Sequence, residues 1–394
     1  MKLSKSTVNQ ISYLGIFTLI AMSGNPLIIR ASWNKFFYVL VAVICFLSFL
    51  TKPDYGFYKR YRSFFLCFSF IFLAQYMCFG WNTIMGIMGF FAKSFAGAYL
   101  IWVNGERFVY IYTRIMVFIA GVSIILFTLT ITGFIEVPDL LHVRGVPDFS
   151  SIGIYIDSAA LPKRNIGMFW EPGAFAGYIL LVFLLNLGNI KQQIVQHKLA
   201  FLILFIALLT TFSTTGYILL FFMVVYVGFC ASKSKILSTI FLVVPILLFS
   251  YHIYNQEDFL KEKIVGQYTH SIDMDGDYDP SRLGALLFDV HYIKKHLLIG
   301  NGLHERTRFA DHPWLWGDNR PGHGNGFSNF WASMGLLGLL SWGVPVFKSL
   351  PFKKMDRMVF ILLILLLLQG EQYLNFSLFL GLPLLNYGQN MIRK

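Results

Sequence analysis

Two arginines and a histidine have the residue types and settings best suited to chemistry in this chain. Arg164 stands in Pro162-Lys163-Arg164-Asn165, just ahead of Phe169-Trp170-Glu171-Pro172-Gly173. Arg282 opens a stretch of helical pattern, and His323 sits in Pro321-Gly322-His323-Gly324-Asn325-Gly326. A guanidinium is a planar fork of donors that matches a diphosphate by bidentate hydrogen bonds. An imidazole titrates near neutral pH and can take a proton from a reacting group. The glycines flanking His323 let a substrate come close to the backbone. Lys163, Glu171, His304 and Asn325 complete the candidates, as substrate contacts.

Each residue also has a plainer role. Arg164 can be an arginine snorkelling to lipid headgroups. Arg282 can simply neutralise the acidic run Asp273, Asp275, Asp277 and Asp279. Glu171 either binds a sugar hydroxyl, pairs with Arg164, or is an acid at a helix N-terminus interacting with the dipole. His323 can be an incidental histidine in a flexible loop end. The acidic run resembles a calcium loop but lacks the glycine and the distal glutamate at the required offsets, so it is read as a solvated loop. His304, Asp311 and His312 form no HExxH or comparable pattern, and no metal site is assigned. Lys93 lies within an apolar run and Glu371 near a membrane turn, where a charge serves either a substrate path or an internal ion pair.

The elements that must position these residues are membrane helices. The chain of 394 residues is 56% hydrophobic and only 13% charged, against about 25% charged in ordinary soluble chains. The net charge of +12 does not point to nucleic acid, because the basic residues cluster between apolar runs, as in the positive-inside pattern. The cysteines, Cys45, Cys67, Cys78 and Cys230, all lie in apolar runs, so no disulfide is expected. A spanning helix needs about 20 mainly apolar residues, and about twelve runs qualify or come near. With the N-terminus inside, alternation puts Lys59, Arg60, Arg62, Arg107, Arg114, Lys191, Lys198, Lys233, Lys235, Lys348, Lys353, Lys354 and Arg357 on the cytoplasmic side. The expected fold is all-α: a single integral membrane domain over 1–394, a polytopic bundle of about twelve spans.

Two long segments then fall outside, at about 136–170 and 255–326. The second is long enough to be functional rather than a connector. It should contain a short amphipathic helix. Asp279 is placed as its N-cap and Pro280 as its first residue. Leu283, Leu286, Leu287, Val290 and Ile293 make its apolar face, which is expected on the membrane surface or on the span bundle, and Gly300 and Gly302 end the helix.

Four stretches carry a resemblance to a known family: RNIGMFWEPGAFAGY at 164–178, STTGY at 213–217, 282–302 ending in HLLIGNG, and HGNGFSNFWASMGLLGLL at 323–340. In order and spacing they resemble the O-antigen polymerase and O-antigen ligase superfamily, bacterial C-type glycosyltransferases that use polyprenyl-diphosphate-linked sugars. The resemblance implies an enzyme of the bacterial cytoplasmic membrane that needs neither metal nor cofactor. It would polymerise lipid-linked repeat units into O-antigen, capsule or exopolysaccharide. Arg164, Arg282 and His323 would be its catalytic residues. Its partners would be undecaprenyl-diphosphate-linked donor and acceptor, the bilayer and a chain-length regulator. The family's ligases follow their histidine with Asn or Ser, whereas Gly324 follows His323 here, which tilts the expectation from ligase towards polymerase. A flippase is the other alternative. It should instead carry its charges at the midplane in repeated halves, and Lys93 is the one clear midplane charge.

Cysteines placed in 273–279 are expected to react with an impermeant thiol reagent applied from outside. Cysteines in 353–357 should react only after permeabilisation, and the reverse pattern would invert the orientation.

Overall fold

A computed structural model describes residues 5–29, 34–51, 55–80, 83–137, 149–158, 163–231, 282–316 and 324–386. The expectations for Asp273–Asp279, Pro280 and His323 lie outside these residues. The fold is mostly helical. The helices are α1 (Lys5–Gly24), α2 (Asn34–Thr51), α3 (Tyr55–Phe79), α4 (Ile84–Asn104), α5 (Arg107–Ile131), α6 (Pro172–Leu185), α7 (Ile190–Gln196), α8 (Lys198–Thr210), α9 (Thr214–Ala231), α10 (Arg282–Lys295), α11 (Glu305–Arg308), α12 (Gly326–Ser349), α13 (Lys354–Gly370) and α14 (Ser377–Gly381).

Four helices, α3, α4, α5 and α12, are long and apolar enough to cross a membrane, and α6 with 187–196 makes a fifth candidate bent by 54°. These apolar helices mark a multi-pass membrane protein. The described residues do not reach the expected twelve spans. The 13 residues of α8 rise only about 20 Å, short of a hydrocarbon core of about 30 Å. The run expected as a last span, Tyr373–Tyr387, is interrupted: 3₁₀ turns at Tyr373–Asn375 and Leu382–Leu384 flank the five residues of α14. The run at 236–254 lies outside the described residues. The purely α expectation also misses a small antiparallel hairpin, β1 (Phe149–Ser151) with β2 (Ile156–Ser158), in register Phe149 opposite Ser158.

Small residues let the irregular pieces pack closely. A Cβ on Gly97 of α4 would collide with the Ser377 carbonyl of α14, the close backbone approach that glycine permits between membrane helices. The most consequential break is in α12, where Gly335 adopts φ +69°, ψ −179°. Such a break frees backbone groups that an apolar bundle cannot leave unpaired. The segment after α10 supplies the partners. Asn301 and Gly302 donate backbone N–H to Ala332 and Ser333 carbonyls (2.8 and 3.0 Å), and Leu336 and Leu337 donate to Leu297 and Leu298 carbonyls (2.9 and 3.0 Å). Gln75 of α3, fully buried, donates Nε2 to the Ile299 and Ser333 carbonyls at 2.6 and 2.8 Å. The LLIGNG stretch is therefore a backbone plug for a broken helix, and α10 is anchored through it.

The leucines of α10 are mostly not buried against the protein. Gly284, Ala285, Phe288, Asp289, Tyr292 and Ile293 are buried, while Leu283 and Leu287 are exposed. Of the leucine face only Ile293 is buried; the side of α10 that meets protein combines Gly284, Ala285 and Asp289 with Phe288, Tyr292 and Ile293, and Leu283 and Leu287 face outward.

Gly335→Leu should unfold this junction. The left-handed backbone alone costs a side-chain residue about 1–3 kcal/mol, and a Cβ there would strike the Leu298 carbonyl. A lower melting temperature in detergent is expected, and an unchanged one would deny the plug its role.

Candidate functional site

The loop 163–171 is pinned by Asn165. Its backbone N–H donates to the Thr210 carbonyl at 2.9 Å. Its Nδ2 donates to Ser123 and Thr210 hydroxyls (3.2 and 3.0 Å), and its Oδ1 accepts the Gly167 N–H at 3.0 Å. Arg164 is thereby set at the C-terminal end of α8, where Nε and Nη2 donate to the Thr211 and Phe212 carbonyls at 3.2 and 3.0 Å. A cation there meets the negative end of the helix dipole. Burial lowers the Arg164 pKa, the Glu171 carboxylate opposes this, and the neighbouring Arg282 guanidinium adds to it.

Arg282 begins α10 and reaches the same place from the other side. Nε donates to the Gly370 carbonyl and Nη1 to the Thr214 hydroxyl, both at 3.4 Å, and Nη2 pairs with Glu371 Oε1 at 4.0 Å. Glu371 follows the last residue of α13 and is buried. Its Oε2 accepts Trp170 Nε1–H at 3.3 Å, and the Glu171 carboxyl lies beside it. Gly173 makes room, since a Cβ there would sit 2.7 Å from Glu371 Oε1. Tyr373 donates its hydroxyl to the Gly173 carbonyl at 2.9 Å.

The start of α12 packs on this cluster. A Cβ on Gly326 would collide with the Glu371 carbonyl. Residues from the N-termini of α9, α10 and α12 and the C-terminal ends of α8 and α13 thus meet at one end of the bundle. Lys198, Lys348 and Lys354 stand at the opposite ends of α8, α12 and α13. Two guanidiniums and two carboxyls at a mouth of the bundle suit an oxyanion: the cations attract it, and the acids keep the empty site from self-repulsion.

The other candidates have structural employment. Asn325 is the buried N-cap of α12, its Oδ1 accepting Ser328 N–H at 3.0 Å. His304 caps α11, its Nδ1 accepting Arg306 N–H at 3.1 Å. Lys163 is exposed, with φ +60°. Lys93 is half-buried midway along α4. Glu171 is the N-cap of α6 without a side-chain capping bond, so it is available to the charge cluster.

Sequence reasoning overlooked the link between Arg282 and the start of α12. Asp289, two turns along α10, is fully buried; it pairs with Arg308 and accepts the Ser328 hydroxyl at 2.6 Å. Arg308 also donates to Asn329 Oδ1 at 3.2 Å. The signal was an aspartate inside Leu286-Leu287-Phe288-Asp289-Val290, where a lone acid demands a partner.

Residues 199–343 match the family model described as O-antigen ligase. The matched segment includes Arg282 and His323 but neither Arg164 nor Glu371, and covers less than half of the chain. It is consistent with the O-antigen polymerase and ligase superfamily. No curated protein matches the chain.

Asp289→Ala should destabilise the protein by about 3–5 kcal/mol, because Arg308 is left buried without its counter-charge. Replacing both, as Asp289→Leu with Arg308→Met, should recover much of the loss in a detergent melt. A single Asp289→Ala that melts like the parent would show the pair to be dispensable.

Proposed function

We propose that this chain is a membrane glycosyltransferase that polymerises polyprenyl-diphosphate-linked oligosaccharide repeat units on the outer face of the cytoplasmic membrane. The observation that carries the reading is the convergence of Arg164 and Arg282, from two separate segments, on one charge cluster beside the start of α12. The remaining apolar runs add further passes between the inner basic end and this outer end.

Arg164 and Arg282 grip the diphosphate and stabilise the charge that grows on it. An acceptor sugar hydroxyl attacks the anomeric carbon from the face opposite the diphosphate. The new C–O bond forms as the bond to the diphosphate oxygen breaks, and its electron pair leaves with polyprenyl diphosphate. His323, two residues ahead of the α12 N-cap, accepts the hydroxyl proton, a contribution of about a hundredfold to ten-thousandfold. Glu171 and Glu371 are the next carboxylates able to take that proton. The two guanidiniums do the work a divalent ion does elsewhere, so the reaction runs without metal. A chain-length regulator is a natural partner, as polymer length needs a stop signal. The description of the matched family favours a second reading, in which the same donor is transferred to lipid A core.

Purified protein with lipid-linked repeat units should build a ladder of polymer that survives a chelator. Arg282→Lys keeps the charge but loses the fork. It should insert normally and leave single repeat units, as should His323→Ala. Normal chain length from both variants, or loss of the ladder in chelator with rescue by a divalent ion, would sink this mechanism. Growth only on lipid A core would select the ligase reading.

A further inference from the structure

A second concave site lies at the far end of α10. It is a cavity of about 400 Å³ lined by Phe79, Tyr292, Lys295, His296, Arg306 and Thr307 among others, within the range of small-ligand pockets. α10 rises about 1.5 Å per residue, which puts Lys295 about 20 Å from Arg282. The cavity therefore cannot hold the sugar whose anomeric carbon reacts.

Its chemistry is specific. Lys295 and Arg306 bring two cations, and among the described residues no carboxylate is part of the lining. Asp311, just outside, is shared: it pairs with Lys295 and with His291 Nε2, the latter at 2.6 Å. These contacts hold the Asp311 carboxyl below the usual carboxylate range, the Lys295 hydrogen bond most of all. Burial and the adjacent Lys295 ammonium lower the His296 pKa, leaving a neutral imidazole able to donate or accept. The Phe79 and His296 rings meet edge to face, centroids 4.7 Å apart, so the wall is partly aromatic. Trp316 lies 5.8 Å from the Arg306 guanidinium, and Trp314 is exposed nearby, its ring 4.9 Å from His312.

We infer that this cavity is a distal glycan subsite that takes an acidic, carboxylate-bearing sugar one or more units away from the diphosphate. Cations for the carboxylate, hydroxyl and imidazole groups for the ring oxygens, and aromatic faces for the ring are the required parts. The mixed polar lining favours a sugar over a lipid headgroup, which needs only charge. The glycan's identity rests on the polymerase reading, but binding in the cavity does not require turnover.

The test uses the full chain in nanodiscs of zwitterionic lipid, without lipid-linked donor. It is titrated calorimetrically with a short oligogalacturonate and with a neutral malto-oligosaccharide of equal length. The acidic chain should bind and the neutral one should bind at least about tenfold more weakly. Arg306→Gln, at an exposed position, and Lys295→Gln should each weaken acidic binding about tenfold, the loss of one charge-assisted contact. Three results would overturn the subsite: equal affinity for both sugars, no effect of either variant, or displacement of the sugar on adding anionic phosphatidylglycerol to the disc, which would make it a headgroup site. A protein that binds the acidic sugar but makes no polymer keeps the subsite and loses the polymerase reading. One that polymerises without binding does the opposite.

Discussion

Buried backbone must find partners, and in an apolar bundle water cannot supply them. That constraint fixes the architecture around the site. α12 breaks at Gly335, and the peptide groups it frees are met by residues 297–302 and by Gln75. Because residues 297–302 continue directly from α10, satisfying the break also fixes one end of α10. The Asp289, Arg308 and Ser328 contacts hold its middle. Arg282, at the other end, has little freedom left relative to the start of α12. The guanidinium and the start of α12 are thus brought into register by backbone hydrogen bonding far from either.

The charge cluster follows a second constraint. Two guanidiniums close together repel, and burial makes each more costly. Here the cost is offset by helix-end carbonyls around Arg164 and by Glu371 beside Arg282. At 4.0 Å the Arg282 and Glu371 contact is long for an ion pair, and Glu371 also accepts from Trp170. Under the proposed function, an entering anion would exchange one partial partner for a better one instead of breaking a tight bond. A site held by loose internal pairing stays folded when empty and gives way when filled.

Part of this was legible in the sequence. The arginines stood out because a cation beside an apolar run needs a reason, and the structure brings those two together although more than a hundred positions separate them. The capping bonds of His304 and Asn325 were not legible, because capping depends on where a helix starts, which periodicity places only to within a few residues. Which neighbour the leucine face of α10 meets was not legible for another reason. Hydrophobic periodicity finds the apolar side of a helix but not whether protein or lipid meets it, and here the protein side mixes Gly284, Ala285 and Asp289 with Phe288, Tyr292 and Ile293, while Leu283 and Leu287 are exposed. Glu371 was visible as a charge in an apolar region. Its closeness to Glu171 comes from helix packing, and no local pattern encodes it.

The spans are hardest to read where the helices are irregular. A hydropathy window treats Tyr373–Tyr387 as continuous, yet Gly381 and Pro383 divide it into short turns. Those turns are also where the chain passes closest to its neighbours, α14 against Gly97 and Tyr373 against Gly173 and Gly177. Non-helical backbone inside a membrane bundle survives only where protein or a wet cavity surrounds it, and it is found here next to Glu371 and Arg282. The same irregularity that breaks the last apolar run into short turns, and that a count of apolar residues cannot see, sets polar groups into an otherwise apolar bundle at the site.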